Sequence, residues 1–276
     1  MNTVNGIIRV VTYSNIWISL GAVCFSLFAS RVLDFELPLF YILFIFSATL
    51  FTYNFQRLIK RYVFSSQGIS GPRLKWIERN VFSVYLITTI SGIAACILGW
   101  QFILEIWWLF AVVGFFSLFY VLNLPILKVN LRSIPGVKIF VLGVTWVIAT
   151  QILPFFLFSA GVLSASRIIF FIGSMLFMLA ISIPFDIRDL ELDNRKLRTI
   201  PQTLGIKNAR YLAATILFMS TALFMWVVGY FHIGLLLNTI IVTKVICRSG
   251  INGNEFYYSG LADGLLILIY LSYYLA

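Results

Sequence analysis

Residues 168–185, IIFFIGSMLFMLAISIPF, carry no charged side chain and end directly in 186–193, DIRDLELD, with aspartates at Asp186, Asp189 and Asp193. A helix of that length crosses a hydrocarbon layer of about 30 Å, and one that is apolar all round belongs in lipid or in a buried bundle. The abrupt change to charge then marks a membrane surface, with chemistry concentrated just beyond the end of a spanning helix.

The pattern fills the whole chain. Of 276 residues, 61% are hydrophobic, 17% aromatic and only 11% charged, and the mean hydropathy is +0.99. A soluble domain carries about a quarter charged residues, so this composition excludes an ordinary water-soluble enzyme. Further apolar runs of helix length fall at 8–30, 38–59, 80–100, 102–122, 136–156, 211–230, 232–246 and 256–275. Together they predict an all-α polytopic membrane protein with nine transmembrane helices, in a single integral-membrane domain over 1–276. The first run is longer than the 7 to 15 apolar residues of a typical signal-peptide core and lacks a convincing cleavage site, which reads as a membrane helix.

With nine spans, the N-terminal segment and the even-numbered loops share one side. Of the 20 Lys and Arg residues, the opposite side keeps Arg31 and Arg167, which leaves eighteen on the first. The positive-inside rule places that side in the cytoplasm of a bacterial inner membrane, with the N-terminus inside and the C-terminus outside. The net charge of +10 therefore reports orientation, and no nucleic-acid partner is expected. Cys24, Cys96 and Cys247 are far apart and form neither a disulfide framework nor a zinc pattern.

On a continuous helix, Asp186, Asp189 and Asp193 stand at about 0°, 300° and 340° and share one stripe. Three like charges on one stripe need compensation. Two readings stand: oxygen ligands of this kind suit Mg²⁺, which bridges protein carboxylates to substrate phosphates, and a solvated helix end can pair with Arg188, Arg195 and Arg198. Asn54, Arg57 and Arg61 repeat the spacing at the end of the second run, as forked donors for phosphate oxygens or as cytoplasmic anchors.

The run from Asp186 to Asp193, followed by Thr199-Ile200-Pro201-Gln202-Thr203-Leu204-Gly205, resembles the second aspartate-rich motif of the UbiA-type intramembrane prenyltransferases. Tyr120, Pro125 and Lys128 are similar to that family's Tyr, Pro, Lys pattern after the fourth helix. The resemblance implies a UbiA-like bundle that binds a prenyl diphosphate and transfers its prenyl group to an acceptor within the membrane, using Mg²⁺. It implies Asp186, Asp189 and Asp193 as catalytic and metal-holding residues for one Mg²⁺, and Asn54, Arg57, Arg61, Lys128 and Arg198 as the diphosphate-binding set. Partners are then an isoprenoid lipid and the surrounding membrane lipids. The family's first aspartate motif is missing: aligned on Asn54, its aspartate positions hold Phe55, Leu58 and Tyr62, and with the register moved by one residue they hold Asn54, Arg57 and Arg61.

Three aspartates with one Mg²⁺ give −1, and Arg57 with Arg61 brings the pocket to +1, which accepts a diphosphate of roughly −3 with arginines replacing one metal. Without metal the two stripes nearly cancel, and the alternative is a non-catalytic UbiA-fold protein that binds an isoprenoid, a pigment or a partner protein. Asp263, well inside the ninth run, either lines a central cavity or pairs with Lys244. Glu105 and His232 read as groups at the outer interface, Trp107, Trp108, Trp146 and Phe115 as lipid-facing or packing residues, and Asn123, Gln151 and Asn238 as interhelical hydrogen-bonders.

Overall fold

A computed structural model describes residues 3–66, 71–125, 128–251 and 254–275, with no side chains described at 3–5, 60 and 62–66. Tyr62, one of the positions matched to a missing aspartate, and Lys60 of the cytoplasmic basic set therefore lie outside the described side chains. Every regular element among the described residues is a helix: α1 Thr3–Tyr13, α2 Ile16–Val32, α3 Leu39–Ser66, α4 Pro72–Arg79, α5 Val81–Phe119, α6 Lys138–Val147, α7 Leu153–Phe158, α8 Ala165–Arg188, α9 Ile200–Val228, α10 Ile233–Arg248 and α11 Leu265–Tyr274. A π-turn at Ile148–Ile152 joins α6 to α7, and another at Tyr257–Ala262 precedes α11.

Among the described residues, five stretches are long and apolar enough to cross a membrane: Leu39–Ile59, Val81–Phe119, Lys138–Phe158, Ala165–Arg188 and Ile200–Val228. Counting α1 and α2, bent by 63°, as one broken span makes six. Nine are not confirmed among the described residues: the third and fourth expected spans are the two legs of one element, α5, and α10 (16 residues) and α11 (10 residues, behind its π-turn) fall short individually.

Straight, the 39 residues of α5 would reach about 58 Å, nearly twice a hydrocarbon core. Ile106 interrupts them with φ −135° and ψ 45°, and the contacts with α3 give the direction of each leg. A Cβ at Gly99 would come within 2.6 Å of Phe44 and one at Gly92 within 2.8 Å of Phe51, so the leg before Ile106 runs opposite to α3. Beyond Ile106 the order reverses. Phe110 packs on Phe44 with ring centroids 5.8 Å apart, and Gln56 donates to the Ser117 carbonyl at 3.1 Å. The chain thus turns back at Ile106, a few residues past the expected turn at Gln101. The glycines let the first leg lie close to the rings of α3.

Aromatic packing fills the bundle. Phe28 lies against Phe170, Phe224 and Tyr273, with centroids at 5.6, 5.1 and 5.5 Å. Elsewhere Tyr41 and Phe102 pack on Phe158 at 5.0 and 5.6 Å. Burial of such rings contributes about 1.5–3 kcal/mol each in water, but in lipid the gain comes from close packing. α8 packs most extensively on α9. Between these clusters the ends of α3, α6 and α8 surround an open volume rather than a packed core.

Candidate functional site

That volume is a cavity of about 210 Å³ bordered by α2 to α6, α8 and the second π-turn. One part of its wall is apolar, with Phe116, Leu142, Trp146, Met178 and Ile181. Trp146 is fixed by its Nε1–H, which donates to the Tyr53 hydroxyl at 3.1 Å. The other part carries Arg57, Arg73, Arg132, Lys138 and Arg188 against Asp186, Asp189 and Asp263, an excess of two cations. Asp193 and Glu255, just behind, bring the wider region to neutrality by pairing with Lys138 and Arg73.

The three aspartates meet without sharing a helix. α8 ends at Arg188, Asp189 caps it, and a turn closed by the Asp193 N–H on the Asp189 carbonyl at 2.7 Å brings the third carboxylate round. Gln202, in the first turn of α9, accepts from the Thr199 N–H at 3.0 Å and donates to the carbonyls of Asp193 and Asn194 at 3.2 and 3.3 Å. The Thr-Ile-Pro-Gln segment therefore anchors the aspartate turn.

The ion-pair partners come from elsewhere. Lys138 opens α6, and its Nζ lies 2.8 Å from Asp186 Oδ1 and 2.6 Å from Asp193 Oδ2. Arg132, in the short 3-10 turn at Leu131–Ser133, reaches Asp193 Oδ1 at 3.4 Å and Asp189 Oδ2 at 3.7 Å. Arg188 holds Asp189 in a fork, Nε to Oδ1 at 2.7 Å and a terminal nitrogen to Oδ2 at 3.2 Å. Five of the six carboxylate oxygens, all but Asp186 Oδ2, thus face a cationic nitrogen. Burial pushes the Asp189 carboxyl up, but Arg188 first, then Lys138 and Arg132, outweigh it and hold the group below the ordinary carboxylate range. Burial opposes the charge of Arg132, yet Tyr120, Asp193 and Asp189 hold its pKa above the usual value.

The basic stripe on α3 separates. Arg57 lines the cavity, half-buried, and has no hydrogen bond or ion pair among the described residues. Asn54 points away: its amide donates to the Ser14 and Leu50 carbonyls, both at 2.9 Å, and accepts from Asn15 at 2.8 Å. Asn15 Oδ1 in turn accepts from Arg73, which also contacts the Thr12 carbonyl at 3.2 Å and Glu255 at 3.7 Å. Asn54 thereby ties α2 to α3, with no polar atom left for a ligand. Arg61 is not among the cavity residues. Lys128 and Arg198 are exposed in left-handed turns, φ 53° and 48°, and do not line it either.

So Asp186, Asp189 and Arg57 share the cavity, Asp193 joins through Lys138, and Asn54, Arg61, Lys128 and Arg198 do not contribute. Arg132, Lys138 and Arg73 are the residues sequence reading left among the cytoplasmic basics. The signal available was two cations six positions apart at the entrance to an apolar run. Asp263 lines the cavity among the charges of Arg73, Arg188 and Arg57, while Lys244 is exposed, so the expected pair does not form.

The remaining residues sort by burial. Trp107, Trp108, Phe115 and Glu105 are exposed, and Trp146 is buried on the cavity wall. His232 is not a surface group: it stacks on Tyr273 at 4.6 Å and caps α10 by accepting from the Leu235 N–H at 3.4 Å. Asn123 accepts from Asn130 at 3.5 Å, whereas the Gln151 amide and Asn238 Oδ1 are buried without a partner among the described residues.

No protein-family model and no curated protein matches the chain. Among solved structures, a UbiA homolog from Archaeoglobus fulgidus bound to GPP and Mg²⁺ matches with a TM-score of 0.58 at 12% identity, over 96% of this chain and 100% of that one. At that identity the likeness is one of fold. The protein is thus an integral membrane protein with a UbiA-like helical fold. The Mg²⁺ of the neighbour does not transfer with it. Among the described residues no group of three or more His, Cys, Asp or Glu side chains converges on a metal position, and the carboxylates that would have formed one are taken up by Lys138, Arg132 and Arg188. The donor set present does not fit a divalent ion.

Proposed function

We propose that the protein is a divergent prenyltransferase that holds an isoprenoid diphosphate in this cavity, on the cytoplasmic side of a bacterial inner membrane, with its N-terminus inside and its C-terminus outside. The supporting observation is a single cavity, in a fold shared with a UbiA homolog bound to GPP, that joins an apolar aromatic wall to a charged wall on which five cations outnumber three aspartates. Arg57, Arg132 and Lys138 meet the diphosphate oxygens, and the prenyl chain lies along Trp146, Leu142 and Phe116.

Ionisation breaks the allylic C–O bond, and its electron pair leaves on diphosphate. Fixed cations stabilise the charge developing there. The allylic carbon then bonds to a nucleophilic acceptor, which releases a proton. A wall without bulk water protects the cation from quenching, and the faces of Trp146 and Tyr53 stabilise it. Asp186, Asp189 and Asp193 act as positioning residues that aim Lys138 and Arg132.

The ion-paired aspartates also favour a second reading, in which the protein binds an isoprenoid and does no chemistry. Incubation with labelled geranylgeranyl or farnesyl diphosphate decides between them. Diphosphate release that is lost in Arg57→Ala supports the transferase, binding without release supports the second reading, and no binding of either diphosphate sinks the transferase.

A further inference from the structure

We propose that Lys138 stands in the place of a divalent cation, so that the protein binds its isoprenoid diphosphate without any metal ion. This rests on the diphosphate reading above and adds to it the means of charge compensation.

Mg²⁺ in phosphate sites typically bridges protein carboxylates to substrate oxygens at about 2.1 Å. Lys138 has the same connectivity. Its ammonium carries three donors: one goes to Asp186 at 2.8 Å and one to Asp193 at 2.6 Å, and the residue borders the cavity, which leaves the third for a ligand there. Arg132 repeats the arrangement, spanning Asp189 and Asp193 and bordering the same cavity. Each carboxylate thus orients a covalently attached cation, as it would orient a metal.

Arg57 is the independent observation. It is a half-buried guanidinium that lines the cavity, without a hydrogen bond or ion pair among the described residues. A half-buried charge without a protein partner leaves its forked donors available to an anionic ligand. With Arg57 on one helix and Lys138 on another, both sides of the cavity present positive charge to the ligand.

The test is titration of purified protein with farnesyl diphosphate in EDTA and in Mg²⁺, beside Mn²⁺ titration followed by electron paramagnetic resonance. The expected affinities agree within about twofold in the two buffers, and Mn²⁺ stays free. In Lys138→Ala, Asp186 and Asp193 lose their shared cation, and Mn²⁺ becomes bound. Tightening by about tenfold or more with Mg²⁺, or Mn²⁺ binding to the unaltered protein, would overturn metal independence while leaving the diphosphate reading intact. Absence of farnesyl diphosphate binding in both buffers would overturn the two together. A folded Lys138→Ala that leaves Mn²⁺ free would remove Lys138 from the cation position. Should that variant not fold, the measurements on the unaltered protein decide.

Discussion

Lys138 and Asp193 are 55 positions apart in sequence and meet at 2.6 Å, joining the entrance of α6 to the turn after α8. The same ammonium holds Asp186 at 2.8 Å, so one side chain fixes both edges of the cavity's acidic rim.

Removing Asp193 leaves Lys138 and Arg132 with one carboxylate fewer in a nearly closed site. Breaking one partner of a buried pair costs about 3–5 kcal/mol, and the solvent-facing edge of Arg132 places this site toward the lower figure. Asp193→Ala should therefore unfold at lower denaturant in detergent. A Lys138→Ala, Asp193→Ala double variant should be less destabilised than the sum of the two singles. Additivity would show that the pair is not energetically coupled.

The Asp189 carboxyl is depressed by Arg188, Lys138 and Arg132 against the upward push of burial. A group with a lowered folded pKa stabilises above its unfolded value, about 3.9, and loses that contribution as pH falls through the folded value. Thermal stability should hold from pH 7 to about 5 and fall below about 4. Asp189→Asn should flatten that acid limb; an unchanged limb would remove Asp189 as its source.

Gly205 breaks α9 with φ 76° and ψ 161°, a backbone state essentially confined to glycine, although nothing lies within 4 Å of a Cβ built there. Gly205→Ala should cost about 1–3 kcal/mol through backbone strain alone. A neutral substitution, read by denaturant midpoint, would mean the bend is not required.

Among the four basic residues expected from sequence to bind diphosphate, only Arg57 faces the cavity. Losing a charge-assisted hydrogen bond costs about 1.5–3 kcal/mol, roughly a 10- to 150-fold loss of affinity. Arg57→Ala should weaken farnesyl diphosphate binding by that factor, while Arg61→Ala, Lys128→Ala and Arg198→Ala leave it within about twofold. Equal losses across all four, measured by calorimetry, would contradict the cavity assignment.

Membrane helices, an acidic cluster at the end of one of them and a likeness to the UbiA layout were all legible in the chain, because an apolar run and its charged end are local properties that lipid alone selects. The reversal falls at Ile106 rather than Gln101, and no Gly or Pro marks either position. The cavity was less legible. Asn54, Arg57 and Arg61 share a helical spacing, yet Asn54 turns to Ser14 and Asn15 while Arg57 stays unpaired in the cavity among the described residues.

The amino-acid sequence by itself determined a lipid-solvated helical protein and the clustering of Asp186, Asp189 and Asp193. Only the tertiary structure decided what neutralises them, since Lys138 and Arg132 approach from 55 and 61 positions away. Electrostatic pairing depends on a few ångströms of distance in a medium of low dielectric constant, and chain spacing does not encode those distances between separate helices.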